Sequence, residues 1–276
     1  MHNVFSAELR RRRLSRLRLL LALANPTRAM RVLKEHILAA PIGRRTFVAV
    51  SSQAVPEVEE LTRGRHHVAA IPNAIDLDRF HPAGEEDRRE ARMSFKVQDG
   101  TRAVGFIGHE FKRKGLPELI LGFALLPADF ELFVAGGESQ NIDAFQHLVD
   151  EAGVSSRVHF LGTVEDTPAF LRAMDVFCLP SHYEGTPMVA LEALATGLPA
   201  VLSEHCPVDE LLNVGVNGFA CRVDPRDIAD QLLAANSLGT DPQAIRSTVQ
   251  DRTWRAAAVS YLELLDGTPA ATTAVH

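Results

Sequence analysis

Short apolar, β-branched runs recur at 46–51, 67–71, 103–107, 131–135, 157–161, 175–179, 200–203 and 219–223, and the stretches between them carry apolar positions at helical spacing. In 117–126, for example, Leu119, Ile120, Phe123 and Leu126 share one side. Further helices are predicted at 56–62, 142–152, 187–196, 207–212 and 254–265, with two more opened by Thr167-Pro168 and Asp224-Pro225. Strand and helix alternate almost without interruption. That order predicts an α/β fold, a doubly wound parallel sheet with helices on both faces. The charged stretch 85–92 interrupts it and reads as a connection between domains. The expected division is a partial N-terminal domain over 1–80 and a complete Rossmann-like domain over 81–253. A C-terminal segment, 254–276, is expected to be a helix packing back toward the N-terminal part, followed by a disordered polar tail.

The stretch 181–201 concentrates the chemistry. Thr186 and Pro187 are expected as N-cap and first helical residue, and Gly197 as a left-handed stop. Glu184 falls at the carboxyl end of a strand, where open α/β sheets bind ligands, and Glu192 lies inside the following helix. Between them, the N–H groups of Gly185, Thr186 and Met188 offer a site for hydroxyls or phosphate; Pro187 has none to give. A capped helix with an acidic first turn would need no ligand. Upstream, Gly108-His-Glu-Phe-Lys-Arg-Lys-Gly115 places Lys112, Arg113 and Lys114 at another helix start. A guanidinium beside ammonium groups suits a pyrophosphate, although a solvated basic turn has the same composition. Gly136-Gly137 follows a strand, where missing side chains would admit a ligand to the backbone or simply make a turn. Asp76 and Asp78 are a possible metal pair, but such pairs also cap turns.

Composition narrows the classes. A net charge of −6 argues against a general nucleic-acid binder, and no apolar run approaches a membrane span. Positive charge gathers in one segment, with Arg10, Arg11, Arg12, Arg13, Arg16 and Arg18 in a predicted amphipathic helix. Such a helix either lies on an anionic membrane surface or packs on a domain with its arginines in water. Cys178, Cys206 and Cys221 are odd in number, sit in apolar runs and lack metal-site spacing. They read as reduced core residues of a cytoplasmic protein.

Several motifs in order then resemble family 4 of the retaining glycosyltransferases, which have the GT-B architecture of two facing Rossmann-like domains. The carriers are Glu184-Gly-Thr-Pro…Glu192-Ala-Leu-Ala-Thr-Gly-Leu-Pro199, which matches the Glu-x7-Glu signature, together with Lys112-Arg-Lys-Gly115, Val134-Ala-Gly-Gly137, Phe160-Leu-Gly162, Asp175-Val-Phe-Cys-Leu-Pro-Ser181 and Asn73-Ala-Ile-Asp-Leu-Asp-Arg-Phe-His-Pro82. The loop before Gly115 looks closest to members that build the lipopolysaccharide core.

The resemblance implies transfer of a hexose from a UDP- or GDP-linked donor to a cell-envelope glycolipid or polysaccharide. Arg113 and Lys114 would hold the diphosphate, Glu192 the ribose hydroxyls, and Glu184 the donor sugar. Gly108, Gly136, Gly137, Gly185, Thr186, Pro187 and Met188 would line the donor site, and backbone near Val164 would meet the base. No cofactor or metal is expected, because the two cations supply the charge; the mechanism is front-face. The implied place is the cytoplasm, at the inner membrane face if the arginines touch it. Family members carry a further N-terminal stretch, so an incomplete N-terminal domain is expected. It leaves open a nucleotide-sugar-binding module without catalysis, or half of a split enzyme whose partner chain brings the acceptor domain. His109 stands where many members have Arg, and Cys206-Pro207 where they often have glycines facing the phosphates.

Overall fold

The computed structural model describes residues 45–137 and 139–266, which fall into two compact units, 45–73 with 255–266, and 74–254. The predicted basic helix and the predicted polar tail lie outside the described residues. Among those described, no helix is long and apolar enough to cross a membrane.

The smaller unit contains two parallel strands, β1 (Thr46–Ala49) and β2 (His67–Ala70), joined through helix α1 (Val55–Thr62). Val58 of α1 packs with Phe47, Leu61 and Val68, and Arg63 ends the helix in the left-handed region.

In the larger unit helix α2 (Glu85–Ser94) leads into β3 (Arg102–Ile107), α3 (Leu116–Phe123), β4 (Phe130–Ala135), α4 (Ser139–Glu151), β5 (Val158–Gly162), α5 (Thr167–Ala173) and β6 (Val176–Leu179). Next come α6 (Met188–Ala195), β7 (Ala200–Ser203), α7 (Val208–Leu211), β8 (Gly218–Cys221), α8 (Pro225–Asn236) and α9 (Pro242–Ser247). The last helix, α10 (Trp254–Leu265), belongs almost wholly to the smaller unit.

Six parallel strands form one sheet in the order β5-β4-β3-β6-β7-β8. Every residue of β6 and β7 is buried, as the near-continuous apolar runs 175–179 and 200–203 require of strands covered on both faces. The outermost strands β5 and β8 are only partly buried and carry polar or small residues. Because β3, β4 and β5 add in one direction and β6, β7 and β8 in the other, connections leave β3 and β6 on opposite sides. A crevice therefore opens at their carboxyl ends.

Two expectations are corrected. The stretch 85–92 is not an interdomain connection but the body of α2, inside the larger unit. Its sequence hid this because α2 has a single buried residue, Ala91, and is held by charge. Arg88 and Arg92 reach Asp175 at 2.6 and 3.1 Å, and Asp175 also accepts from the Ala103 N–H at 2.7 Å. The helix after β6 starts one residue later than expected. Pro187 has extended ψ (109°) and is itself the N-cap, so Met188 is the first helical residue. Because Pro187 is not helical, Thr186 lies outside the helix, and no side chain caps its start. At the other end Gly197, with φ +78°, takes the expected left-handed conformation.

Candidate functional site

Two loops meet over the crevice between β3 and β6. The first, 108–115, is anchored by Phe111, which is buried edge-on against Phe106 and Phe145, with ring centroids 6.0 and 5.3 Å apart. The second, 180–187, is drawn onto it by a backbone bond from His182 N–H to the Arg113 carbonyl, 2.9 Å. Gly115 makes the crossing possible. Its φ is +75°, and a Cβ there would lie 1.9 Å from the Pro180 carbonyl oxygen.

This crossing brings Arg113, Lys114 and Glu184 together. Glu184 Oε1 accepts from Arg113 Nη1 at 3.1 Å, Lys114 Nζ at 3.0 Å and Ser181 Oγ at 3.2 Å. Arg113 also donates to the Tyr183 carbonyl at 2.7 Å and to Glu110 Oε2 at 2.8 Å. The arginine, lysine and glutamate side chains are 14, 14 and 10% exposed, so their charges interact in a poorly screened setting. Burial pulls the Arg113 guanidinium down, but Glu184 and Glu110 outweigh it and hold the group above its ordinary value. Glu110, 69% exposed, is a weak partner in water. An incoming anion can replace it. All three bonds to Glu184 use one oxygen, which leaves the other for an acceptor role toward a hydroxyl.

The remaining predicted residues lie on the loop after β6, in α6 and beyond β5. Glu184 N–H donates to the His205 carbonyl at 3.4 Å, so the loop after β7 closes a third side. Gly185 and Pro187 are buried beside Glu184, and Thr186 is half-buried. Met188 opens α6, so its N–H has no carbonyl one turn back. Glu192 sits further along α6 and is half-buried. Burial raises its carboxyl, and the charge of Arg79 offsets part of this. Val164, beyond β5, is half-buried and packs on the core.

The glycines at 108, 136 and 137 are also required by the packing of the chain on itself. A Cβ on Gly108 would meet the Lys114 stem at 2.2 Å, one on Gly136 the Gly108 carbonyl oxygen at 2.2 Å, and one on Gly137 the Phe111 ring at 2.4 Å. The space they leave is filled by the chain itself, to seat the loop that carries the cations. Lys112 is exposed and stands apart from the cluster. Asp76 Oδ1 caps the N–H groups of Asp78 and Arg79 at 3.1 and 3.0 Å, the turn role rather than a metal pair. Cys206 is fully buried behind the loop, and burial, with Glu184 nearby, pushes its thiol up to about 12.

Sequence reasoning missed four supports, namely Ser181, Glu110, Arg79 and the His205 carbonyl. Only Arg79 carried a local signal, as the cation of the Asp-Leu-Asp-Arg turn.

Known proteins agree with this architecture. Sucrose-phosphate synthase from Thermosynechococcus elongatus superposes with a TM-score of 0.78 at 22% identity, over 96% of this chain and 66% of that one. HepE of Anabaena, solved in complex with UDP-glucose, gives 0.70 at 21% identity, over 80% of this chain and 63% of its own. At these identities the likeness concerns the fold, which is GT-B. In sequence, the chain is 31% identical over 177 residues to the Escherichia coli UDP-Gal:alpha-D-GlcNAc-diphosphoundecaprenol alpha-1,3-galactosyltransferase, covering 62% of this chain and 45% of that enzyme. The first curated relatives are each matched over 40 to 46% of their length. The family profile named Glycosyl transferases group 1 matches residues 87–250, and the chain belongs to that family.

Proposed function

We propose that the protein takes part in retaining transfer of a hexose from a UDP- or GDP-linked donor to a cell-envelope glycolipid or polysaccharide acceptor. The observation that carries this reading is the Arg113, Lys114 and Glu184 cluster at the switch-point crevice, with Glu192 in α6, the helix that follows Glu184. In the proposed complex Arg113 and Lys114 hold the donor diphosphate and stabilise the charge that grows as the sugar–phosphate bond breaks. Glu192 accepts from the ribose hydroxyls. Glu184 and the N–H groups of Gly185 and Met188 take hydroxyls of the sugar. The leaving phosphate oxygen accepts the acceptor's proton, and the new bond forms on the face the phosphate leaves. Binding of UDP-glucose by HepE and the lipid-linked acceptor of the E. coli galactosyltransferase support the choice of substrate classes. Transfer is proposed to need no metal, since the two cations do the work of a divalent ion.

Incubation with radiolabelled UDP- and GDP-hexoses and membrane glycolipids tests this reading. The expected result is a product of retained anomeric configuration at a rate unchanged by EDTA. An inverted product, or a rate abolished by EDTA and restored by a divalent cation, contradicts the mechanism. Nucleotide-sugar binding without transfer would favour the second reading, a binding module completed by another chain, which the partial coverage of the relatives' length motivates.

A further inference from the structure

The two loops that form the cation cluster rise from different strands, so the spacing of Arg113 and Lys114 from Glu184 depends on what holds the loops together. Much of that hold is Arg113 itself, through Tyr183 and Glu184. In the proposed complex the Arg113 guanidinium turns to phosphate, and these bonds weaken. One side-chain contact between the loop regions is independent of the ligand. His182 Nε2 lies 3.1 Å from Glu118 Oε1. Glu118 stands in the first turn of α3, which Gly115 joins to Lys114, and His182 stands directly before Tyr183 and Glu184. The second oxygen, Glu118 Oε2, is buried with no partner. A buried carboxylate oxygen without a hydrogen bond is costly, so burial for its own sake does not explain Glu118. Its bond to His182 gives a reason for its place.

We propose that Glu118 and His182 are positioning residues, which brace the loop bearing Arg113 and Lys114 against the loop bearing Glu184 and so preset the diphosphate site. This rests on the donor-site reading above. It does not place either residue in contact with substrate.

Two readouts test it on the full chain with UDP as the probe. In calorimetry, His182→Ala and Glu118→Ala are each expected to weaken UDP binding by about 3- to 5-fold, the upper size of a partly exposed pair, His182 being 46% exposed. The double variant should be no weaker than the singles to within about 2-fold, as a shared contact requires. Glu118→Gln keeps an acceptor for the ring N–H and should bind within about 2-fold of the wild type; a role confined to the charge in the first turn of α3 predicts that Gln behaves as Ala. The second readout is hydrogen exchange in the ligand-free protein. The His182 amide, which donates to the Arg113 carbonyl, should exchange faster in both alanine variants, with β6 and β7 unchanged. Unaltered exchange and unaltered UDP affinity overturn the proposal. If the wild type binds no UDP, the donor-site reading falls, and exchange at His182 alone then decides whether the brace exists.

Discussion

Glu192 shows at the scale of one residue how a proposed binding group is kept at a cost. Burial raises its carboxyl, and Arg79 relieves only part of that. A carboxyl whose pKa is higher in the folded than in the unfolded chain favours folding while protonated. Its contribution is greatest below the unfolded value of about 4.3 and is lost as pH rises from there through the folded value. At neutral pH the charged Glu192 is therefore a net penalty on the fold. Glu192→Gln should melt at or above the wild type at pH 7, yet bind UDP about 10-fold more weakly through loss of a charged acceptor. A second consequence is that wild-type affinity for UDP falls with pH as this carboxyl protonates, and the Gln variant lacks that fall. Thermal scans and calorimetry across pH check both. A Gln variant that is less stable and equally tight would mean that Glu192 is structural. Glu184 differs in its partners, with three donors converging on one oxygen.

Among the elements, the loop 108–115 and the helix α6 decide whether the site exists. Phe111 wedges the loop under Gly137 and against three other rings, so Phe111→Ala should cost about 3–5 kcal/mol and loosen the cations above it. The midpoint of urea unfolding measures the first effect, and a matching loss of UDP affinity the second. Gly115→Ala tests the crossing of the loops. The left-handed φ alone costs about 1–3 kcal/mol, and Pro180 must also move. Affinity should fall further than stability, because Lys114 is displaced with the crossing. Sequence pattern made most of these elements legible, since strands buried on both faces leave unbroken apolar runs. It failed where packing gave no signal. The charged surface of α2 hid a helix tied down through Asp175, and the short α9 has one buried residue, Ile245. The shift of a helix start from Pro187 to Met188 depends on a ψ angle that local propensity does not set.

For the whole molecule, the sheet order is what converts separate motifs into a site. Motifs 70 residues apart, Lys112-Arg-Lys-Gly115 and Ser181-His-Tyr-Glu184, converge only because β3 and β6 are neighbours at the switch point. Their identities could be read from the chain, but their contact could not. The glycines at 108, 136 and 137 mark the same limit. They were legible as special positions, but that a side chain there would meet the protein's own Lys114, backbone and Phe111 was not. The central claim is that this convergence binds a nucleotide diphosphate. Calorimetric titration of UDP and GDP into the wild type and Lys114→Ala tests it most directly. The account predicts that one of the two nucleotides saturates the wild type at one site per chain and that Lys114→Ala weakens it by about 10- to 100-fold, the loss of one charge-assisted contact. Binding of equal strength in both proteins, or none to the wild type, would contradict it.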